Sequence, residues 1–80
     1  MLTIKVLGPG CANCAKLEEV TRKAVGLAGV EAEIVHVTDM DQIIDYGVMQ
    51  TPGLVINEKL VSSGRIPAPL TVVEWLRAAT

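Results

Sequence analysis

The chain has 80 residues, half of them hydrophobic, with two cysteines, one tryptophan, one tyrosine and no phenylalanine. That length supports one compact domain (residues 1–80) around an aliphatic core, and a net charge of −2 with mixed signs excludes a basic face for nucleic acid. No apolar stretch approaches the ~20 residues of a membrane span, and Met1 leads into a strand-like run without a charged leader, so a cytoplasmic location away from the membrane is expected.

Leu2 to Leu7 is a nearly continuous apolar run, as in a central strand covered on both faces. Gly8-Pro9-Gly10 makes a turn. From Ala12 to Ala28, Leu17, Val20, Ala24, Leu27 and Ala28 recur at helical spacing, with Glu18–Arg22 and Glu19–Lys23 as i,i+4 pairs and Gly29 as the stop. Glu31 to Val37 is rich in β-branched residues and reads as a second strand. Thr38 is placed to cap a short helix, with Asp39 and Asp41 in its first turn, Met40, Ile43 and Ile44 on its core face and Gly47 at its end.

Leu54-Val55-Ile56 is a strand, and Asn57-Glu58 turns it into Lys59 to Ser63 as a hairpin. After a loop from Gly64 to Ala68, Pro69 opens a last helix whose buried stripe is Val72, Trp75, Leu76 and Ala79. The order is β-α-β-α-β-β-α, an α/β class. Strands separated by helices predict parallel pairing through right-handed crossovers, and the last hairpin is antiparallel.

Cys11 and Cys14 form a C-x-x-C pair between the first strand and the first helix. A helix N-terminus has N–H groups without helical partners and the positive end of the dipole, both of which favour a thiolate. Three readings are open: a redox-active dithiol, a metal site and a structural disulfide. The last gains least, since closing a loop of about four residues contributes only ~2 kcal/mol in the loop-entropy view. Three-residue spacing at a helix start gives the two sulfurs unequal exposure. Cys11 lies at the tip and suits attack, and Cys14 faces the first turn and suits resolution of the mixed disulfide.

The C-x-x-C pair and Thr51-Pro52 just before the third strand resemble the minimal thioredoxin/glutaredoxin fold. The chain is similar to a small prokaryotic thioredoxin-like family, redox-active disulfide protein 2, through Tyr46-Gly47-Val48-Met49-Gln50-Thr51-Pro52 and Val61-Ser62-Ser63-Gly64-Arg65-Ile66-Pro67. The resemblance implies a four-stranded mixed sheet with helices on both faces. It implies Cys11 as the attacking thiol, Cys14 as the resolving thiol, and Pro52 as a cis-proline beside the pair. Thr51 and Pro52, with Gly10, then bind substrate through the extended Thr51 backbone.

The chain departs from that pattern in places. Gly10 stands where thioredoxins usually carry Trp, Ala12-Asn13 replaces Gly-Pro, and Lys5 stands where thioredoxins commonly place a buried acid. Ser63-Gly64-Arg65-Ile66 does not supply the Gly-Gly-x-Asp element with which glutaredoxins hold glutathione. A protein reductase of the thioredoxin-reductase type is therefore the expected electron source. The expected activity is reduction of disulfides in partner proteins by a monomer, with no cofactor and no metal ligands assigned.

Two other classes are weighed. A Cu(I) carrier also places C-x-x-C between a strand and a helix, but such domains run β-α-β-β-α-β and end on a strand. A docking module would bind extended peptides at Thr51-Pro52 without turnover. Lys5 admits two readings: an ammonium beneath the cysteines that lowers a thiol pKa, or, more ordinarily, a strand-edge lysine reaching to water. Lys16 reads as a solvated charge and His36 as an ordinary hydrogen-bonded histidine. Met49 is placed in an apolar lip before Pro52, and Tyr46 and Trp75 are read as packing residues.

Overall fold

The structure, a computed structural model, describes residues 2–9, 12–48 and 50–79. Its elements are β1 (Leu2–Leu7), α1 (Ala12–Ala28), β2 (Ala32–Val37), α2 (Met40–Asp45), β3 (Gly53–Ile56), β4 (Lys59–Ser63) and α3 (Pro69–Ala79). They form one four-stranded mixed sheet in the order β2-β1-β3-β4. β1 pairs with β2 in parallel and with β3 antiparallel, and β3 and β4 form an antiparallel hairpin.

β1 divides the core between two faces, because alternate side chains point to opposite sides. Ile4 and Val6 join Leu17 and Ala24 of α1, Leu54 and Ile56 of β3, and Val72, Val73 and Leu76 of α3 in the larger cluster. Leu7 joins Val37, Ile43, Val48 and Val55 in a smaller cluster beneath α2. Helices α1 and α3 thus cover one face and α2 the other, a minimal thioredoxin-like arrangement.

The mixed sheet is as expected, but the direction of β3 corrects the expectation that the strands on either side of α2 run parallel. A parallel return must carry the chain back along the whole sheet, ~20 Å for a strand of this length. Helix α2 has six residues, or ~9 Å of rise. The chain instead leaves β2 at Val37 and enters β3 at Gly53, and both of these residues sit opposite Leu7 at one end of β1.

Three local expectations also change. Asp39, not Thr38, caps α2: its side chain accepts a hydrogen bond from the Asp41 N–H at 2.9 Å. Met40 and Ile44 are exposed, and only Ile43 of the three is buried. Helix α2 turns its Ile43 and Tyr46 edge to the sheet, leaving the other two outside. In α1 the buried stripe is Cys14, Leu17, Thr21 and Ala24. Leu27 lies well off that stripe and is exposed, whereas Thr21 is buried because its hydroxyl donates to the Leu17 carbonyl at 2.8 Å. Trp75 and Ala79 are half-buried at the margin of the α3 stripe.

Asn57 and Glu58 both have positive φ, 51° and 67°, as a two-residue hairpin with the matching twist requires. Asn57 closes this end of the sheet: its N–H donates to the Thr3 carbonyl at 2.8 Å and its Oδ1 accepts from the Thr3 N–H at 3.1 Å. β4 carries a bulge. Val55 faces Leu60 and Leu54 faces Ser62, leaving Val61 as the extra residue.

Candidate active site

Of the expected site residues, Cys14, Thr51 and Pro52 gather at the Leu7 end of the sheet, the end away from Asn57. Gly8 leaves β1 there and its N–H donates to the Val37 carbonyl at 2.9 Å. Helix α1 then begins at Ala12, with no acidic residue in its first turn to oppose an anion. Gly10, Cys11 and Met49 lie outside the described residues, so the assignments of Cys11 to attack, Gly10 to substrate binding and Met49 to the apolar lip rest on sequence.

Cys14 is buried, with 3% of its surface exposed. Its sulfur packs directly on Gly8. A Cβ placed on Gly8 would overlap Cys14 Sγ and would lie 3.8 Å from the Cβ of Thr51. Three segments distant in sequence therefore meet at one point: the turn after β1, the first turn of α1 and the segment before β3. Gly-Pro-Gly at the end of a strand signals a turn; that Gly8 must lack a side chain to seat the sulfur is a three-dimensional requirement.

The Thr51–Pro52 peptide bond is cis, Pro52 is buried and Thr51 is half-buried. Neighbouring strands hold this segment. The Pro52 carbonyl accepts from the Gly64 N–H at 2.8 Å, and the Gln50 carbonyl accepts from Ser63 Oγ at 3.1 Å. Gly64 has φ of +70°, and a Cβ on it would come within 2.7 Å of Gln50 Oε1. Ser63-Gly64 thus forms one wall of the site, directly against Gln50 to Pro52.

Lys5 takes neither of its two expected roles. It lies on the α2 face of β1, whereas α1, which carries Cys14, covers the other. Its ammonium donates to the Tyr46 hydroxyl and, at 2.7 Å, to Glu58 Oε1, while the Tyr46 hydroxyl donates to Glu58 Oε2 at 2.8 Å. The ammonium also sits 5.2 Å from the centre of the Tyr46 ring. Hydrogen bonds donated to Glu58 and Tyr46 raise the Lys5 pKa, and the bond from Lys5, then that from Tyr46, lowers the Glu58 pKa. Tyr46 is thereby a polar anchor for the C-terminus of α2 as well as a packing residue. Sequence reading missed this cluster because its members are 41 and 53 residues from Lys5.

His36 Nε2 lies 3.2 Å from Glu18 Oε1, and the same carboxylate accepts from Arg22 at 3.0 Å. His36 is thus an exposed histidine beside a surface carboxylate. Among the described residues, no group of three or more His, Cys, Asp or Glu side chains could hold a metal ion, and no helix is long and apolar enough to cross a membrane.

The thioredoxin-domain family profile matches residues 2–77. The chain belongs to the thioredoxin family. It is 41% identical over 66 residues to a thioredoxin of Methanothermobacter thermautotrophicus, covering 82% of this chain and 86% of that protein. It is 37% identical over 78 residues to a thioredoxin of Methanocaldococcus jannaschii, covering 98% and 90%. Membership places the chain in a thiol–disulfide oxidoreductase family.

Proposed function

We propose that the chain reduces disulfides in partner proteins through Cys11 and Cys14. The observation that carries this reading is the buried Cys14 sulfur, packed on Gly8 at the first turn of α1, three positions after Cys11, with Thr51 also adjoining Gly8. The Cys11 thiolate attacks one sulfur of the partner's disulfide. A mixed disulfide forms, and the partner's other sulfur leaves as a thiolate that takes up a proton. Cys14, deprotonated, then attacks Cys11 Sγ, forming the Cys11–Cys14 disulfide and releasing the second partner thiol. The partner gains two electrons and two protons, and a protein reductase of the thioredoxin-reductase type returns them to the pair. Burial suits Cys14 to the second step, which needs no access to the incoming partner.

The Thr51 backbone, in the segment that adjoins Gly8, takes the role of a hydrogen-bonding edge for an extended substrate. The elements run β-α-β-α-β-β-α, with α2 between the second and third strands, where a Cu(I) carrier of the β-α-β-β-α-β type has none. Turnover distinguishes this reading from a docking module. In the test, Cys14→Ser is expected to accumulate covalent partner complexes that a reductant releases, while Cys11→Ser traps none. Alkylation of the reduced protein at mildly acidic pH is expected to label Cys11 first. Equal trapping by both variants, or preferential labelling of Cys14, overturns the division of labour.

A further inference from the structure

Between β4 and α3 lies a groove of about 550 Å³, lined by Ser62, Ser63, Arg65, Ile66, Pro67 and Trp75 among others. A smaller hollow of about 160 Å³ continues it past Trp75 to Lys59. No carboxylate lines either space, although acidic residues outnumber basic ones nine to seven in the chain. Lys59 and Arg65 stand at opposite ends, and among the described residues neither takes part in an ion pair. Ile66 is 39% exposed, and Trp75 offers the half-buried face of a large ring. This is a bed of mixed hydroxyl and apolar side chains between two cations that are in no ion pair among the described residues, on an otherwise acidic protein.

The groove is continuous with the candidate active site. Ser63, on its wall, donates to the Gln50 carbonyl, and Gly64 beside it donates to the Pro52 carbonyl. Ser63 pairs with Gly53, which pairs with Leu7, the residue before Gly8. Two inter-strand steps separate the turn that seats the Cys14 sulfur from the groove wall, ~10 Å in all. Three extended residues span the same distance.

We propose that this groove holds an acidic, extended segment of the substrate protein, with a carboxylate about three residues from the reacting cysteine meeting Arg65. The proposal rests on the reading of the chain as a reductase of protein disulfides and names the class of substrate it selects. The bulge at Val61 breaks the regular edge of β4, so side chains in the groove, rather than an added strand, supply the contact.

The experiment uses pre-reduced protein as the stoichiometric reductant of synthetic peptides. Each peptide carries one cysteine in a disulfide with 2-mercaptoethanol and Glu, Gln or Lys three residues to either side. At low ionic strength the Glu peptide is expected to react roughly three to ten times faster than the Lys peptide, a ratio that salt compresses. Arg65→Glu is expected to invert the ratio, which cancels any general change in thiol reactivity. Equal rates for the Glu and Lys peptides, or a ratio unmoved by Arg65→Glu, overturns the proposal.

A second readout stands apart from the chemistry. Trp75 is the chain's single tryptophan, so its emission reports the groove alone. A cysteine-free Glu peptide is expected to shift it and the Lys peptide is not. If the disulfide peptides are not reduced at all but the Glu peptide shifts Trp75, the groove stands and the reductase reading fails. If reduction proceeds without a shift or a charge preference, the groove proposal fails and the reductase reading stands. A shift produced by glutathione as readily as by the Glu peptide assigns the groove to the tripeptide and overturns the proposal.

Discussion

Gly8 and Gly26 ask the same question of two environments. A methyl group on Gly8 would occupy the position of the Cys14 sulfur, whereas a Cβ on Gly26 meets nothing within 4 Å. Gly8→Ala is expected to cost ~1–3 kcal/mol through overpacking and to prolong the mixed disulfide by displacing the resolving sulfur. Gly26→Ala, in the exposed last turn of α1, is expected to stabilise by up to ~1 kcal/mol. Thermal melts of both variants, with single-turnover kinetics for the first, check the pair. The Lys5–Glu58 contact sets a pH window. Glu58's lowered pKa means its contribution is present above the unfolded carboxylate value of 4.5 and is lost as pH falls through the folded value. Lys5's raised pKa means its share persists below 10.5 and is lost as pH rises through the folded value. Glu58→Gln should therefore lower the melting temperature equally at pH 6 and pH 9, and the gap from the parent should close in strong acid. A gap that persists in strong acid would assign the effect to packing.

Elements differ in how much of their packing can be read from composition. The two long helices could be read well: α1 runs from Ala12 to Ala28 and α3 from Pro69 to Ala79, between a Gly-rich turn, a glycine stop and an N-terminal proline. Their stripes were legible wherever hydrophobicity and helical spacing agree, as at Leu17, Ala24, Val72 and Leu76. Thr21 escaped because a hydroxyl that satisfies itself on the preceding turn looks polar in sequence. Helix α2 was misread on its face because six residues offer too few positions to fix a rotation, which the Tyr46 hydroxyl bonds set instead. A contrast of substitutions follows. Leu17→Ala or Leu76→Ala, at fully buried positions, should each cost ~2–5 kcal/mol. Ile44→Ala, at a position 62% exposed, should stay within ~0.5 kcal/mol. Denaturant titrations at constant slope measure all three.

For the whole molecule, a total stability on the order of 4–12 kcal/mol means one core truncation can remove half of what holds the active end together. The order of elements and the place of Cys14 in the first turn of α1 followed from the sequence. The antiparallel return of β3 did not, because hydrophobic pattern carries no strand direction; the shortness of α2 was the available clue. Electron supply is a property of the whole surface. One exposed ion pair at Arg65 contributes only ~0–1 kcal/mol, too little to hold a flexible tripeptide in a defined pose. Turnover with a thioredoxin-reductase-type enzyme is therefore expected to exceed turnover with glutathione and its reductase at matched electron flux. Faster turnover with glutathione would make the chain a glutaredoxin in function.

The extra residue in β4 also settles a matter of parity. Along an unbroken strand, odd and even positions keep to opposite faces, so Lys59, Val61 and Ser63 would share one side. Val61 spends one count without a partner. Ser62 then falls opposite Leu54, on the α3 side, and Ser63 opposite Gly53, where its hydroxyl reaches the Gln50 carbonyl. Were Val61 instead paired with Leu54, Ser62 would face Gly53 and Ser63 would swing to the other face, unfastening the segment before Pro52 from the hairpin that carries it. Deleting Val61 removes only the bulge, so Ser63 is expected to stay opposite Gly53 with hydrogen exchange at Gln50 and Thr51 as in the parent, whereas inserting a second residue after Val61 is expected to speed exchange there.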